Sequence, residues 1–109
     1  MKGIEVVNLG RAMVRSIVKD NRLGTIASCI VVQGTIERSA KVRLIRHGIV
    51  IYPPVDQTVG LDSLRHCNED ASEVGEFSEC GIKIAGYDDV RKRDVVEAFR
   101  VEQILRTLS

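Results

Sequence analysis

The sequence predicts an all-β fold, an antiparallel barrel or sandwich. Short apolar runs rich in valine and isoleucine recur at intervals of roughly 8 to 15 residues, with turn residues between them. No convincing helix lies between these runs, which argues against a parallel α/β sheet. The 109 residues include only two tyrosines, two phenylalanines and no tryptophan, so the core of this single domain must be mainly aliphatic.

The first part of the chain contains two predicted strands. Residues 11–19 alternate loosely between polar and apolar and predict a first strand, and Asp20-Asn21-Arg22 predicts the turn that follows. Residues 24–32 are almost continuously apolar, which is typical of a strand covered on both faces, or covered on one face by a loop.

A hairpin is the clearest local prediction. Residues 41–44 alternate polar and apolar, and residues 49–52 follow a His47-Gly48 step. Because Gly48 can adopt the positive φ of a tight turn, the two runs should pair antiparallel. Pro53-Pro54 cannot continue the ladder and begins a loop that we expect to run through Gly60.

Three further segments complete the pattern. Residues 61–67 are a weaker strand candidate and residues 79–85 a stronger one. The last segment fits either a strand over residues 94–101 or a helix, because apolar residues from Val96 to Leu108 also recur at a helix-like spacing.

Composition and spacing exclude several function classes. The net charge of +1, from 16 basic and 15 acidic residues, argues against a domain held to nucleic acid mainly by a basic field. A phosphate-binding Gly-x-x-x-x-Gly-Lys-Ser/Thr loop is absent, so this chain cannot itself hydrolyse a nucleotide as a GTPase domain does. The three cysteines and two histidines lack the spacing of zinc ligands, so we predict neither a metal nor a cofactor.

The apolar runs are short. None approaches the roughly 18 residues of a membrane helix, and the N-terminus lacks the features of a signal peptide. We therefore predict a cytoplasmic protein without membrane contact.

Three segments together resemble a known family. They are Gly-Thr-Ile-Ala-Ser-Cys at residues 24–29, the hairpin at 41–52, and Ser-Glu-Cys-Gly at 78–81. They resemble the C-terminal β-barrel of bacterial translation initiation factor two, over about residues 10 to 99. The resemblance implies a single antiparallel β-barrel of about six strands, similar to the second domain of elongation factor Tu. It assigns residues 1–9 to a connector and 10–109 to the barrel, and it favours a last strand through about Val101 with a loose or helical tail.

The resemblance also implies a function. The family barrel binds the formylmethionyl acceptor end of initiator tRNA, without catalysis, as part of a GTPase that reaches the ribosome through its other domains. We expect the barrel to act as a monomer. In the family, residues matching Cys29, Glu79, Cys80 and Gly81 form the pocket for the formylmethionyl group and terminal adenosine. A thiol can pack against a thioether and glycine permits close backbone approach, but both cysteines also fit an ordinary place in the core.

The loop that follows residue 64 departs from the family pattern. Family members carry several cations and an aromatic residue where this chain has Arg65, His66, Cys67 and Asn68. From Arg65 to Glu79 one permanent cation faces five acids. Arg65 and His66 remain the candidates for contact with acceptor phosphates. Because this loop is acidic, either the tRNA binds weakly or basic residues elsewhere in the chain supply the positive charge.

Two alternative functions from other functional classes remain. The departures from the family pattern at residues 65–68 favour a barrel of the same ancestry whose binding surface has drifted, and which serves as a protein-interaction or scaffold module. A small enzyme using Cys67 or Cys80 with His66 is the second alternative, but a thiolate needs a nearby cation and the loop is acidic.

Two basic clusters have plain explanations as well as functional ones. Lys41, Arg43 and Arg46 form either a phosphate-contacting stripe or the solvated face of a half-exposed strand, and the solvated face is the default. The run at residues 91–93 fits a solubilising turn better than a phosphate contact.

Overall fold

The all-β prediction is confirmed. The structure, a computed structural model, describes residues 2–105, with side chains over residues 5–102. This part of the chain contains ten strands and no helix, and so no helix long and apolar enough to cross a membrane. The strands are β1 (Lys2–Asp20), β2 (Gly24–Gly34), β3 (Ile36–Glu37), β4 (Lys41–Arg46), β5 (Ile49–Tyr52), β6 (Val59–His66), β7 (Glu69–Asp70), β8 (Glu73–Val74), β9 (Glu79–Ile84) and β10 (Val95–Leu105).

Six of these strands form a closed antiparallel ring. Their order is β4-β10-β1-β2-β9-β6, and pairing of Lys41 with Gly60 and of Val42 with Val59 joins β6 back to β4. The sheet is therefore barrel-like, as the resemblance implied. Strands β5 and β7 extend it as hairpin partners, while β3 and β8 form a separate two-stranded sheet.

The interior of the ring is aliphatic. Alternate residues of β2 and β9 are buried, as the two-residue period of a strand requires. Each large aliphatic side chain removed from water contributes about 1.5–3 kcal/mol to stability. The most enclosed side chains include Val14, Val31, Ile36, Val42, Leu44, Leu64, Ile82, Ile84 and Val96.

Two tight turns have the same backbone geometry. The predicted hairpin turn between β4 and β5 is confirmed, with φ of 52° at His47 and 77° at Gly48. A second such turn joins β6 to β7, where Cys67 has φ of 53° and Asn68 of 63°. The strand predicted over residues 61–67 begins two residues earlier, at Val59, and ends one residue earlier, because Cys67 is a turn residue. Paired positive φ angles match the twist of the flanking strands, and asparagine tolerates this conformation.

The ends of the domain differ from the prediction. β1 begins at Lys2 rather than residue 11, and its first residues pair with the end of β10, where Val6 faces Val101. The connector assigned to residues 1–9 therefore lies mostly within a strand, while the domain boundary itself remains a prediction. The helix alternative is wrong as far as Leu105, because β10 is paired with β1 throughout; any tail beyond it lies outside the described residues.

The loop between β5 and β6 is shorter than predicted. It ends at Thr58, because β6 begins at Val59 to close the ring against β4.

A buried ion pair joins β4 to the start of β10. The Asp94 side chain is only 1% exposed. Arg46 donates to it twice, from Nε at 2.9 Å and from Nη2 at 2.8 Å, and the backbone N–H of Arg91 donates at 2.8 Å. Burial alone would raise the pKa of Asp94, but the bonds from Arg46 and Arg91 outweigh it and hold that pKa below its usual range.

A second buried carboxylate engages two more arginines. Glu97 on β10 pairs with Arg11 at 2.9 Å and with Arg43 at 3.2 Å. The Arg43 guanidinium also lies 4.2 Å from the ring centre of Phe99. With Arg46 held by Asp94, two of the three cations of the suggested phosphate stripe are thus engaged inside the fold.

We expect Asp94→Asn to lower the free energy of unfolding by about 1.5–3 kcal/mol, because the buried Asp94 carboxylate loses its charge-assisted hydrogen bonds to Arg46. Urea unfolding at neutral pH measures this. Asp89→Asn is the matched control, since Asp89 is 61% exposed and 4.0 Å from Arg46, where a pair contributes about 0–1 kcal/mol.

The same pair predicts an acid dependence. The pKa of Asp94 is lowered in the folded state from 3.8, so its stabilisation is present above pH 3.8 and is lost as the pH falls through the lower folded value. The stability difference between wild type and Asp94→Asn should therefore shrink below that pH. A difference that stays constant down to acid unfolding would contradict the assignment.

Candidate functional site

A groove of about 390 Å³ lies on the outer face of the ring, where β1, β2, β9 and β6 run side by side. Four of the six predicted site residues line it, Arg65 from β6 and residues 79–81 from β9. The full lining is Val18, Asp20, Ile26, Ser28, Arg65, Cys67, Asn68, Glu79, Cys80 and Gly81.

Gly81 forms a low point in the groove. It lies between Ser28 on β2 and Arg65 on β6 in the strand register, and all three face outwards. A Cβ built on Gly81 would lie 3.4 Å from Cγ2 of Ile26 and 4.0 Å from Cβ of Arg65. A side chain could therefore be accommodated by small shifts, and it would project into the groove.

The two predicted pocket cysteines face the interior. Cys29 and Cys80 are direct cross-strand partners, and the Cys29 thiol donates to the backbone oxygen of Ala27 at 3.6 Å. Cys80, 5% exposed, still borders the groove, whereas Cys29, 1% exposed, lies outside its lining. Burial raises the pKa of Cys80 to about 11, and burial followed by the neighbouring Cys80 raises the pKa of Cys29 further. Both thiols are neutral near pH 7. Cys29 lies in the core, as the alternative without a binding role predicted for both cysteines.

His66 also lies outside the groove lining. Its ring Nδ1 is 2.7 Å from the backbone oxygen of Glu79, which ties the end of β6 to β9. Beside it, Arg65 forms an ion pair in which Nε is 3.4 Å from Oδ1 of Asp70, without hydrogen-bond geometry. Of the two residues predicted to contact phosphates, the structure therefore places only Arg65 at the groove.

The groove contains two carboxylates, and both have partners. The backbone N–H groups of Leu23 and Arg22 donate to Asp20, and these bonds hold the pKa of Asp20 below its usual value. The Glu79 carboxylate pairs with Arg15 at 3.2 Å. Each acid therefore already has a hydrogen-bond or ion-pair partner.

Arg15 is the charged residue that sequence reasoning missed. It is the extra residue of a β-bulge in β1, since Val14 pairs with Cys29 and Ser16 pairs with Ser28. No local sequence pattern reveals that bulge or the spatial order of β1, β2 and β9. The apolar wall of Val18 and Ile26 was missed for the same reason, since these residues are neighbours only through strand pairing.

Cys80 lacks the surroundings of a catalytic thiol. The Cys80 thiol is buried and neutral, and the His66 ring contacts a backbone oxygen. Among the residues whose positions are described, no group of three His, Cys, Asp or Glu side chains could hold a metal ion.

Comparison with known proteins confirms the resemblance. The chain is 42% identical over 106 residues to translation initiation factor IF-2 of Rhodopirellula baltica, and 46% identical over 104 residues to that of Carboxydothermus hydrogenoformans. These alignments cover 94% and 95% of this chain but 9% and 12% of the relatives. The chain thus spans about a tenth of the length of the relatives it matches. No family model matches it.

A solved structure supports the fold. The crystal structure of GDP-bound aIF5B from Aeropyrum pernix is similar with a TM-score of 0.62, at 13% sequence identity. The match covers 82% of this chain and 16% of that one. Together the comparisons fit a C-terminal domain of IF-2.

The cysteine environments predict a selective alkylation. We expect iodoacetamide at pH 8 to modify the exposed Cys67 quickly in the native protein, and the buried Cys29 and Cys80 only after denaturation. With a pKa of about 11, Cys80 is thiolate in about one molecule in a thousand at that pH. Mass spectrometry of a time course gives the result, and Cys67→Ser should abolish the fast phase. Rapid native modification of Cys80 at pH 6 would instead favour the thiol-enzyme alternative.

Proposed function

We propose that this chain binds the formylmethionyl acceptor end of initiator tRNA, as the C-terminal domain of translation initiation factor IF-2. One observation carries the proposal: Arg65, Glu79, Cys80 and Gly81, chosen for their likeness to IF-2, line one groove although they come from two separate strands. The domain is non-catalytic and monomeric in this proposal. Nucleotide hydrolysis and ribosome contact belong to other parts of the parent protein.

The groove suits an uncharged, partly apolar group. Val18 and Ile26 supply an apolar wall against which a thioether can pack, while the Cys80 side chain turns to the interior and adds no charge to the groove. An ammonium group placed here would lose water against Val18 and Ile26, and it would have to compete with the partners that Asp20 and Glu79 already have in Leu23 N–H and Arg15. Formylation removes that charge, and the groove therefore favours the formylated ester.

Gly81 supplies access. Because it carries no side chain, the aminoacyl group can approach the backbone of β9 between Ser28 and Arg65. In this arrangement Arg65 faces the sugar–phosphate backbone that enters the groove.

A drifted scaffold domain is the second candidate function. The observation that favours it is the groove's charge, with the two acids Asp20 and Glu79 against the single cation Arg65. A surface of this kind repels phosphates unless neighbouring cations neutralise it.

Ester protection tests the proposal. We expect this chain to slow spontaneous hydrolysis of formylmethionyl initiator tRNA and to protect the unformylated methionyl ester much less. Hydrolysis rates over a range of protein concentrations give both affinities. Equal affinity for the two esters would contradict the pocket, and failure to protect either, by this chain and by intact IF-2, would favour the scaffold function.

Gly81→Val tests the groove directly. We expect at least about tenfold weaker binding of the formylmethionyl ester, equivalent to about 1.4 kcal/mol, because the side chain fills the low point of the groove. The fold should persist, since valine suits a strand and the space around Gly81 permits it. Gly75→Val is the matched control, because Gly75 has open space around its Cβ position and lies outside the groove lining. If a folded Gly81→Val protein binds as tightly as wild type, Gly81 is not part of the binding site.

A further inference from the structure

We infer that Arg15 is a second phosphate-contacting residue, and that Arg15 and Arg65 hold the RNA backbone from opposite sides of the groove. This inference rests on the proposed function and adds a residue to it. Arg15 lies on β1 and Arg65 on β6, with β2 and β9 between them. Three inter-strand steps separate the two backbones by roughly 14 Å, which side chains as long as arginine can span from both sides.

The β-bulge lies beside the groove. Val14 pairs with the inward-facing Cys29 and Ser16 with the outward-facing Ser28, so the bulge leaves Arg15 and Ser16 both on the outer face. The Arg15 guanidinium reaches across β2 to Glu79, which lines the groove on β9. Bulges commonly redirect a side chain in this way beside binding sites.

Three other arginines of the ring are held by buried carboxylates. Arg11 and Arg43 neutralise the buried Glu97, and Arg46 holds the buried Asp94. The carboxylate partners of Arg15 and Arg65 are exposed instead. Arg15 and Arg65 can therefore bind a phosphate at the groove without opening the core.

Both exposed arginines are held by exposed carboxylates. A phosphate can displace Asp70 from Arg65, and it can bind the other N–H groups of Arg15 while Nη1 stays paired with Glu79. Arg15 pairs with Glu79 and Arg65 with Asp70, and these acids are 72% and 87% exposed. Such pairs add little stability, whereas a guanidinium binds a phosphate through two parallel hydrogen bonds. On this account Asp70 competes with the RNA for Arg65, and this competition lowers the affinity of the groove for phosphate.

Salt-dependent binding of Arg15→Gln tests the inference. We expect weaker binding of initiator tRNA and a slope of log affinity against log salt that is less steep by about 0.7–0.9. Raising the salt fourfold should then cost the variant about threefold less affinity than it costs wild type. Arg15→Lys should keep the wild-type slope, because the charge remains. Arg100→Gln is the matched control, since Arg100 is 50% exposed and pairs with Glu102 at 2.9 Å on β10, outside the groove lining.

Asp70→Asn tests the exchange of partners. Freeing Arg65 should raise the affinity for the tRNA, while Glu73→Gln, the same charge change on the neighbouring β8, should raise it less. Glu73 is exposed and pairs with no cation among the described side chains. An equal gain in affinity in both variants would mean that the two acids only repel the tRNA in a general way. It would overturn the proposal that phosphate replaces Asp70 as the partner of Arg65.

Two ligands separate this inference from the proposed function. Each variant is titrated with formylmethionyl initiator tRNA and with deacylated initiator tRNA. Unchanged affinity and slope of Arg15→Gln for both ligands would overturn the role of Arg15, even if wild type prefers the formylated ester. Loss for both ligands, with no wild-type preference between them, would support Arg15 and overturn the aminoacyl pocket. Wild type that binds neither ligand would overturn both.

Discussion

Closure of the six-stranded ring is the constraint on which the rest of this structure depends. Once β6 pairs with β4, every ring strand has a neighbour on both sides, and its inward positions must be filled by apolar side chains. Because side chains alternate along a strand, this also determines which residues face outwards. The outer row of Ser28, Gly81 and Arg65 is thus a consequence of burying Ala27, Ile82 and Leu64 on the same strands.

The aliphatic core leaves an unusual role to buried charge. With no tryptophan and only two phenylalanines, the ring is filled by valine, leucine and isoleucine, and Asp94 and Glu97 are buried at its margin. Their partners Arg11, Arg43 and Arg46 come from the flanking strands β1 and β4. These pairs link β10 to both neighbours and engage three of the arginines of the chain within the fold.

The groove combines a neutral floor with paired charges at its rim. The Cys80 thiol remains protonated because of its burial, and Gly81 adds no side chain, so the floor is uncharged. Around it, Glu79 and Asp70 hold Arg15 and Arg65 in exposed ion pairs. A ligand with an uncharged end and a phosphate backbone fits this distribution better than a purely anionic or a cationic one.

The sequence by itself determined the fold class, most strand positions and four groove residues. Strand periodicity and turn residues are local, so the β4–β5 hairpin and the strands β2 and β9 could be predicted from them. Tertiary structure decided what depends on pairing between distant segments. Strand register determines the bulge at Arg15, the burial of Cys29 and the length of β1 and β10. Register is set by neighbours that are remote in the chain, and for that reason no local pattern could have revealed Arg15 beside Glu79.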